Sequence, residues 1–127
     1  MSEHKDTVMR YLRGVRHADH ELVLSLVTDD VLLERKGRPG IRGKEVLRAV
    51  IDDTDGVVHR DTGSHRPVHR IERMVEEGDT VVVSGSVVVR LLNGGQLETL
   101  FSDHFTFSGG LISGLESYMV PPAGPRS

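Results

Sequence analysis

Hydrophobic residues recur along the first third of the chain at helical spacing. Between His4 and Ala18, Val8, Tyr11, Leu12, Val15 and Ala18 fall three or four apart, which gathers them on one face of a helix. Asp19 stands where a side-chain oxygen can cap a second, short helix, with Leu22, Val23, Leu26 and Val27 as its buried side. Val31 to Lys36 alternates weakly and reads as a strand; Gly37 to Gly43, with three glycines and Pro39, reads as a loop. Gly43 then opens a third helix, in which Val46, Leu47, Val50 and Ile51 keep helical spacing up to the acidic turn Asp52 to Gly56.

The period changes to two in the second half. Ser64 to Val75 is a charged strand candidate, Glu76 to Asp79 a turn, and Thr80 to Leu91 a valine-rich strand. Asn93-Gly94-Gly95 is a hairpin signal, because its residues adopt positive φ cheaply, and it joins that strand to Gln96 to Phe107. Ser108-Gly109-Gly110 is a second hairpin turn before a last strand from Leu111 to Val120. Val81, Val83, Val87 and Val89 share one strand face while Val82 and Val88 lie on the other. Either both faces of the sheet are covered, or Val82 and Val88 are strand formers on a solvated face. Helices followed by an antiparallel meander predict an α+β domain with the helices on one face of the sheet. The prediction is a single domain over residues 1–120, and a disordered tail over 121–127, which holds three prolines and a glycine.

Composition narrows the function classes. The 127 residues are 37% hydrophobic, enough for one core, and 16 Lys plus Arg against 19 Asp plus Glu give a net charge of −3. That balance carries no electrostatic footprint for nucleic acid. With no cysteine there is no disulfide, thiolate nucleophile or sulfur-ligated metal. No window approaches the ~18 apolar residues of a membrane span, so the reading is a soluble, cytoplasmic protein without membrane or nucleic-acid partners.

The chemistry concentrates on the strand from Gln96 to Phe107. Leu97, Thr99, Phe101, Asp103, Phe105 and Phe107 share one face, so all three phenylalanines of the chain flank or neighbour Asp103. A carboxylate there is desolvated; it is either a neutral acid that donates a hydrogen bond, or a structural aspartate bonded to backbone or to an arginine. Tyr11, on the buried stripe of the first helix, either points into the same cavity or is a core aromatic with its hydroxyl satisfied.

Several of these features together resemble a known family. Arg10-Tyr11 on the first helix, the Asp19 cap, Asp29-Asp30-Val31 entering a strand, the helix start at Gly43, and Asp103-His104-Phe105-Thr106-Phe107 before a Gly-Gly turn are similar to ketosteroid isomerase and the SnoaL-like polyketide cyclases. The resemblance covers about residues 5 to 120. It implies the NTF2-like fold: a cone-shaped barrel, with three N-terminal helices packed on a curved, mainly antiparallel sheet around an apolar pocket. It also implies a homodimer through the open sheet face. In the isomerase a tyrosine on the first helix and a protonated aspartate in an Asp-His-Phe strand form an oxyanion hole, roles that fall on Tyr11 and Asp103 here. The isomerase's proton-shuttling aspartate, by its spacing from the tyrosine, falls on Arg35.

Arg35 changes what such a pocket does. Val31, Leu33 and Arg35 share one strand face and Glu34 the other. A guanidinium turned inward requires an anionic partner. If that partner is Asp103, the carboxylate stays ionised and the pocket only binds; if it is the ligand, Tyr11, Asp103 and Arg35 together stabilise developing negative charge. The third possibility is a solvated Arg35. Glu34, His65 and His69 are weak candidates for the base, and Phe101, Phe105 and Leu33 would line the pocket. His65 and His69 lie about 13 Å apart along a strand, and no zinc-ligand spacing is present, so no metal or other cofactor is expected. Two functions stand side by side: a cofactor-independent isomerase or cyclase acting on a small apolar carbonyl compound through an enolate, or a non-catalytic module for binding a small apolar or anionic molecule or for dimerisation.

Overall fold

The computed structural model describes residues 2–37, 39–49, 68–90 and 94–120. The first helix, α1, spans Glu3–His17 and begins at Ser2, whose hydroxyl accepts the Lys5 amide at 3.1 Å. It ends at Ala18 in the left-handed region, φ 55°, with the Ala18 amide donating back to the last carbonyls of the helix. Helix α2, His20–Ser25, is capped by Asp19, whose carboxylate accepts the Leu22 amide at 3.2 Å. The two helices pack closely at Gly14, where an added Cβ would stand 2.8 Å from a Val23 methyl carbon. Residues 44–49 are also helical, with Leu47 3% exposed; the remainder of the expected third helix, including Val50 and Ile51, lies outside the described residues.

Six strands follow: β1 Val27–Arg35, β2 Ile41–Arg42, β3 Val68–Glu77, β4 Thr80–Arg90, β5 Gln96–Ser108 and β6 Leu111–Val120. Their order across the sheet is β2-β1-β6-β5-β4-β3. All neighbours pair antiparallel except β1 with β6, which run parallel. The first strand begins at Val27, four residues earlier than its weak alternation suggested, and the expected loop before Gly43 contains the two-residue β2. The expected turn at Glu76 starts later, at Gly78, because β3 continues to Glu77. Gly109 and Gly110 take positive φ in the β5–β6 hairpin, as that turn requires. Gly85 of β4 answers a different need: β3 bulges between Ile71 and Arg73, and a Cβ at Gly85 would run into the Arg70 carbonyl oxygen.

The sheet is open. Its edge strands, β2 and β3, are at opposite ends of the strand order, so the described strands do not close into the expected barrel. Closure needs both edges hydrogen-bonded to each other, and β2 has only two residues with which to pair.

One face of the sheet carries the core. Val81 and Val83 of β4, Phe101, Phe105 and Phe107 of β5, and Ile112 and Leu115 of β6 pack with Val8, Tyr11 and Leu12 of α1 and Val23 and Leu24 of α2. Across the register, one residue from each strand forms a row on a single face. Arg35, Ser117, Asp103, Val83 and Met74 make one such row on the helix side. Glu34, Glu116, His104, Val82 and Val75 make the next row, on the opposite face. Of the two outward valines of β4, Val88 is 5% exposed and Val82 is half-buried, so that face is partly covered within the chain. No described helix is long and apolar enough to cross a membrane.

Candidate functional site

Alternation on β5 brings Phe101, Asp103 and Phe105 to the helix side of the sheet, and all three are buried. Asp103 is 7% exposed, an expensive place for a charge. Burial pushes its carboxyl above the ordinary carboxylate range; the Ser117 hydroxyl, the Arg35 guanidinium and His104 act in the other direction, with less effect. Ser117, opposite Asp103 on β6, donates its hydroxyl proton to Asp103 Oδ1 at 2.6 Å. The other carboxyl oxygen, Oδ2, can then hold the proton.

The buried stripe of α1 lies over this row. Tyr11 sets its ring edge-on to Phe105, with centroids 5.5 Å apart. Burial pushes its hydroxyl well above the usual phenol range, and the nearby Asp103 adds to the shift. Among the described residues the hydroxyl has no hydrogen-bond partner, although a buried tyrosine normally finds one. Two acids whose pKa values burial raises are thus held on one apolar face, with Tyr11 in the field of Asp103.

Arg35 ends the same row, two strands from Asp103 and so about 10 Å away between backbones. It is exposed and makes no ion pair with Asp103, so the sealed pocket that such a pair would create is not formed. Its charge still reaches Asp103 and favours a negative oxygen there. Leu33, two residues before Arg35 on the same face, is half-buried against the core.

Of the three candidate bases, the two among the described residues stand apart from this site. Glu34 faces the opposite side of the sheet, 3.9 Å from the Lys36 ammonium. His65 lies outside the described residues. His69 is on the helix side, edge-on to Phe101 with ring centroids 5.3 Å apart, and its register places it opposite Val87 and Thr99. That is four residues and two strands from Asp103, about 13 Å along the strands and about 10 Å across them. No cluster of three or more His, Asp or Glu among the described residues is placed to hold a metal ion.

Ser117, which sequence reasoning did not assign to the site, is the residue bonded to Asp103. Alternation separates Glu116 and Tyr118 from Ser117 and Met119, but the register shift between Thr106 and Phe107 in the β5–β6 hairpin decides which pair shares the face of Asp103.

Solved structures share this arrangement of helices and sheet. An LEH-like epoxide hydrolase from M. tuberculosis superposes with a TM-score of 0.77 at 19% identity, covering 93% of this chain and 83% of the other. An NTF2-like protein of unknown function from Burkholderia pseudomallei gives 0.78 at 20% identity, covering 94% and 92%. TerC, co-crystallised with polyporic acid, gives 0.74 at 22% identity, covering 91% and 90%. At these identities the likeness is one of fold. No curated protein matches the sequence. Residues 8–115, the greater part of the chain, match the family model described as the SnoaL-like domain, and the chain belongs to that family.

Proposed function

We propose that the protein binds a small apolar carbonyl compound and stabilises its enolate, in a cofactor-independent reaction of isomerase or cyclase type. The observation that carries this reading is the pair Tyr11 and Asp103, both pushed by burial toward their proton-bearing forms on one apolar face. When a base takes the α-proton from carbon, a role for which His65, outside the described residues, is left open, the electron pair of the C–H bond moves to the carbonyl oxygen. Two preorganised neutral donors in a water-poor site stabilise that charge more than water does, since they need no reorganisation. Ser117 fixes Asp103 by bonding one carboxyl oxygen, and Arg35 at the row's end adds a favourable potential. Phe101 and Phe105 supply the apolar contact for the ligand body. The co-crystallisation of TerC with polyporic acid supports an acidic small molecule as the ligand class on this fold.

The test uses a phenol of naphthol size as an enolate mimic, its ionisation followed by absorbance in the native protein and in a Tyr11→Phe, Asp103→Asn double variant. The native protein should bind the ionised phenol, and the double variant should bind it roughly 100-fold less tightly, the loss of two hydrogen bonds to a charged oxygen. Equal binding by both proteins, or binding by neither, would remove the oxyanion reading.

A further inference from the structure

A concave site lies on the neighbouring flank of α1. Between the second half of that helix and β3 is a cleft of about 220 Å3, with Met9, Leu12 and Ile71 as its apolar lining and Arg13, Arg16, His17 and His69 as its polar lining. Tyr11 and Asp103 do not line it. The volume is below the ~300–1,000 Å3 of sites for drug-sized ligands, which restricts an occupant to a small molecule.

Among the described residues the charge on this cleft is uncompensated. Arg13, Arg16 and His17 are exposed, and none has an ion-pair partner among the described residues. Arg16 and His17, in the last turn of α1, complement the negative end of the helix dipole, so their presence has a structural explanation. Arg13 lies one turn earlier, where that effect has faded, yet it lines the same cleft three residues from Arg16. His69 is the second unexplained feature. Its Nδ1 is buried without a hydrogen-bond partner, a costly arrangement in a wall that needs only packing. Burial lowers its pKa, so the wall gains polarity without another charge.

We propose that this cleft binds a small carboxylate with an apolar body, an aryl or short alkyl acid. The carboxylate is held by the guanidinium groups of Arg13 and Arg16, and the body covers Met9, Leu12 and Ile71. The planar guanidinium fork matches a carboxylate's two oxygens. A bare inorganic anion would satisfy the arginines but leave the apolar lining in water, whereas an acid with an apolar body covers both.

The experiment titrates the full chain with sodium benzoate, and in parallel with inorganic phosphate, by calorimetry and by NMR of the arginine Nε and histidine ring signals. Benzoate should bind saturably, shift the Arg13, Arg16 and His69 signals, and bind more tightly than phosphate. An Arg13→Gln, Arg16→Gln double variant should bind benzoate roughly tenfold or more weakly. Both positions are exposed, so circular dichroism should show the fold retained. Three results would overturn the proposal: no saturable benzoate binding, unchanged affinity in the folded double variant, or phosphate binding as tightly as benzoate.

Discussion

Two carboxylates on adjacent rows of the sheet each accept a hydrogen bond from a hydroxyl on their own face and lie in the field of a cation. On the helix side Asp103 has Ser117 at 2.6 Å and Arg35 at the row's end. On the other side Glu116 has the Tyr118 hydroxyl at 3.1 Å and the Lys36 ammonium at 3.3 Å. The partners are alike and the outcomes opposite. Glu116, with its side chain 45% exposed, is lowered in pKa by its bonds to Tyr118 and Lys36, while Asp103, 7% exposed, is raised by burial despite its own. Desolvation outweighs one hydrogen bond and one remote cation, so the face on which an acid lies decides the direction in which its pKa moves.

The strongest way to break this contrast is to open the helix-side face. Phe105 is fully buried beneath Tyr11, and Phe105→Ala should cost about 3–5 kcal/mol through lost burial and the cavity left behind. His104, the next residue on the other face, should cost about 1 kcal/mol or less on replacement by alanine. Urea unfolding of the two variants measures both; similar losses would mean the faces are not energetically distinct.

A second test sharpens the electrostatic half. A group whose pKa is higher in the folded state favours folding below its unfolded pKa, and that contribution is lost as pH rises through the folded value. For Asp103 the loss begins near the ordinary carboxylate value of 3.8 and continues upward. Asp103→Asn cannot ionise, and its amide oxygen can still accept the Ser117 hydroxyl. The variant should therefore be more stable than the native protein at pH 7, with the advantage closing below about pH 4. Unfolding curves across that range would count against a raised Asp103 if the two proteins stayed parallel.

Much of the helix-side row was legible in the sequence because it rests on strand parity. Alternation alone placed Phe101, Asp103 and Phe105 together, and put Leu33 and Arg35 on the face opposite Glu34. Helical spacing likewise put Tyr11 on the buried stripe. What escaped depends on which elements meet. Ser117 joins Asp103 only because a bulge between Thr106 and Phe107 shifts the β5–β6 register by one residue, an irregularity that alternation does not announce. His69 looked equally able to reach the pocket until the register placed it two strands away, facing a cleft of its own. Arg13, Arg16 and His17 line a cleft only because β3 lies beside α1, a placement that helical spacing does not reveal. The open sheet has the same origin, since the pairing of edges is not written in local periodicity.

The smallest effect belongs to the exposed row, and salt separates it from the buried one. Glu116 has a lowered pKa, so its contribution to stability is present above the ordinary glutamate value of 4.5 and is lost as pH falls through the folded value. Because the group is largely exposed, solvent screening leaves little of that contribution, and Glu116→Gln should move the melting temperature by no more than about 2 °C at pH 7. At about 1 M salt, where the screening length falls to ~3 Å, even this difference should vanish. The difference between Asp103→Asn and the native protein should persist at the same salt concentration, because its main cause is desolvation in the interior rather than attraction across water. If salt instead erased both differences, Asp103 would be responding to long-range charge, and the contrast between the faces would be one of screening rather than burial.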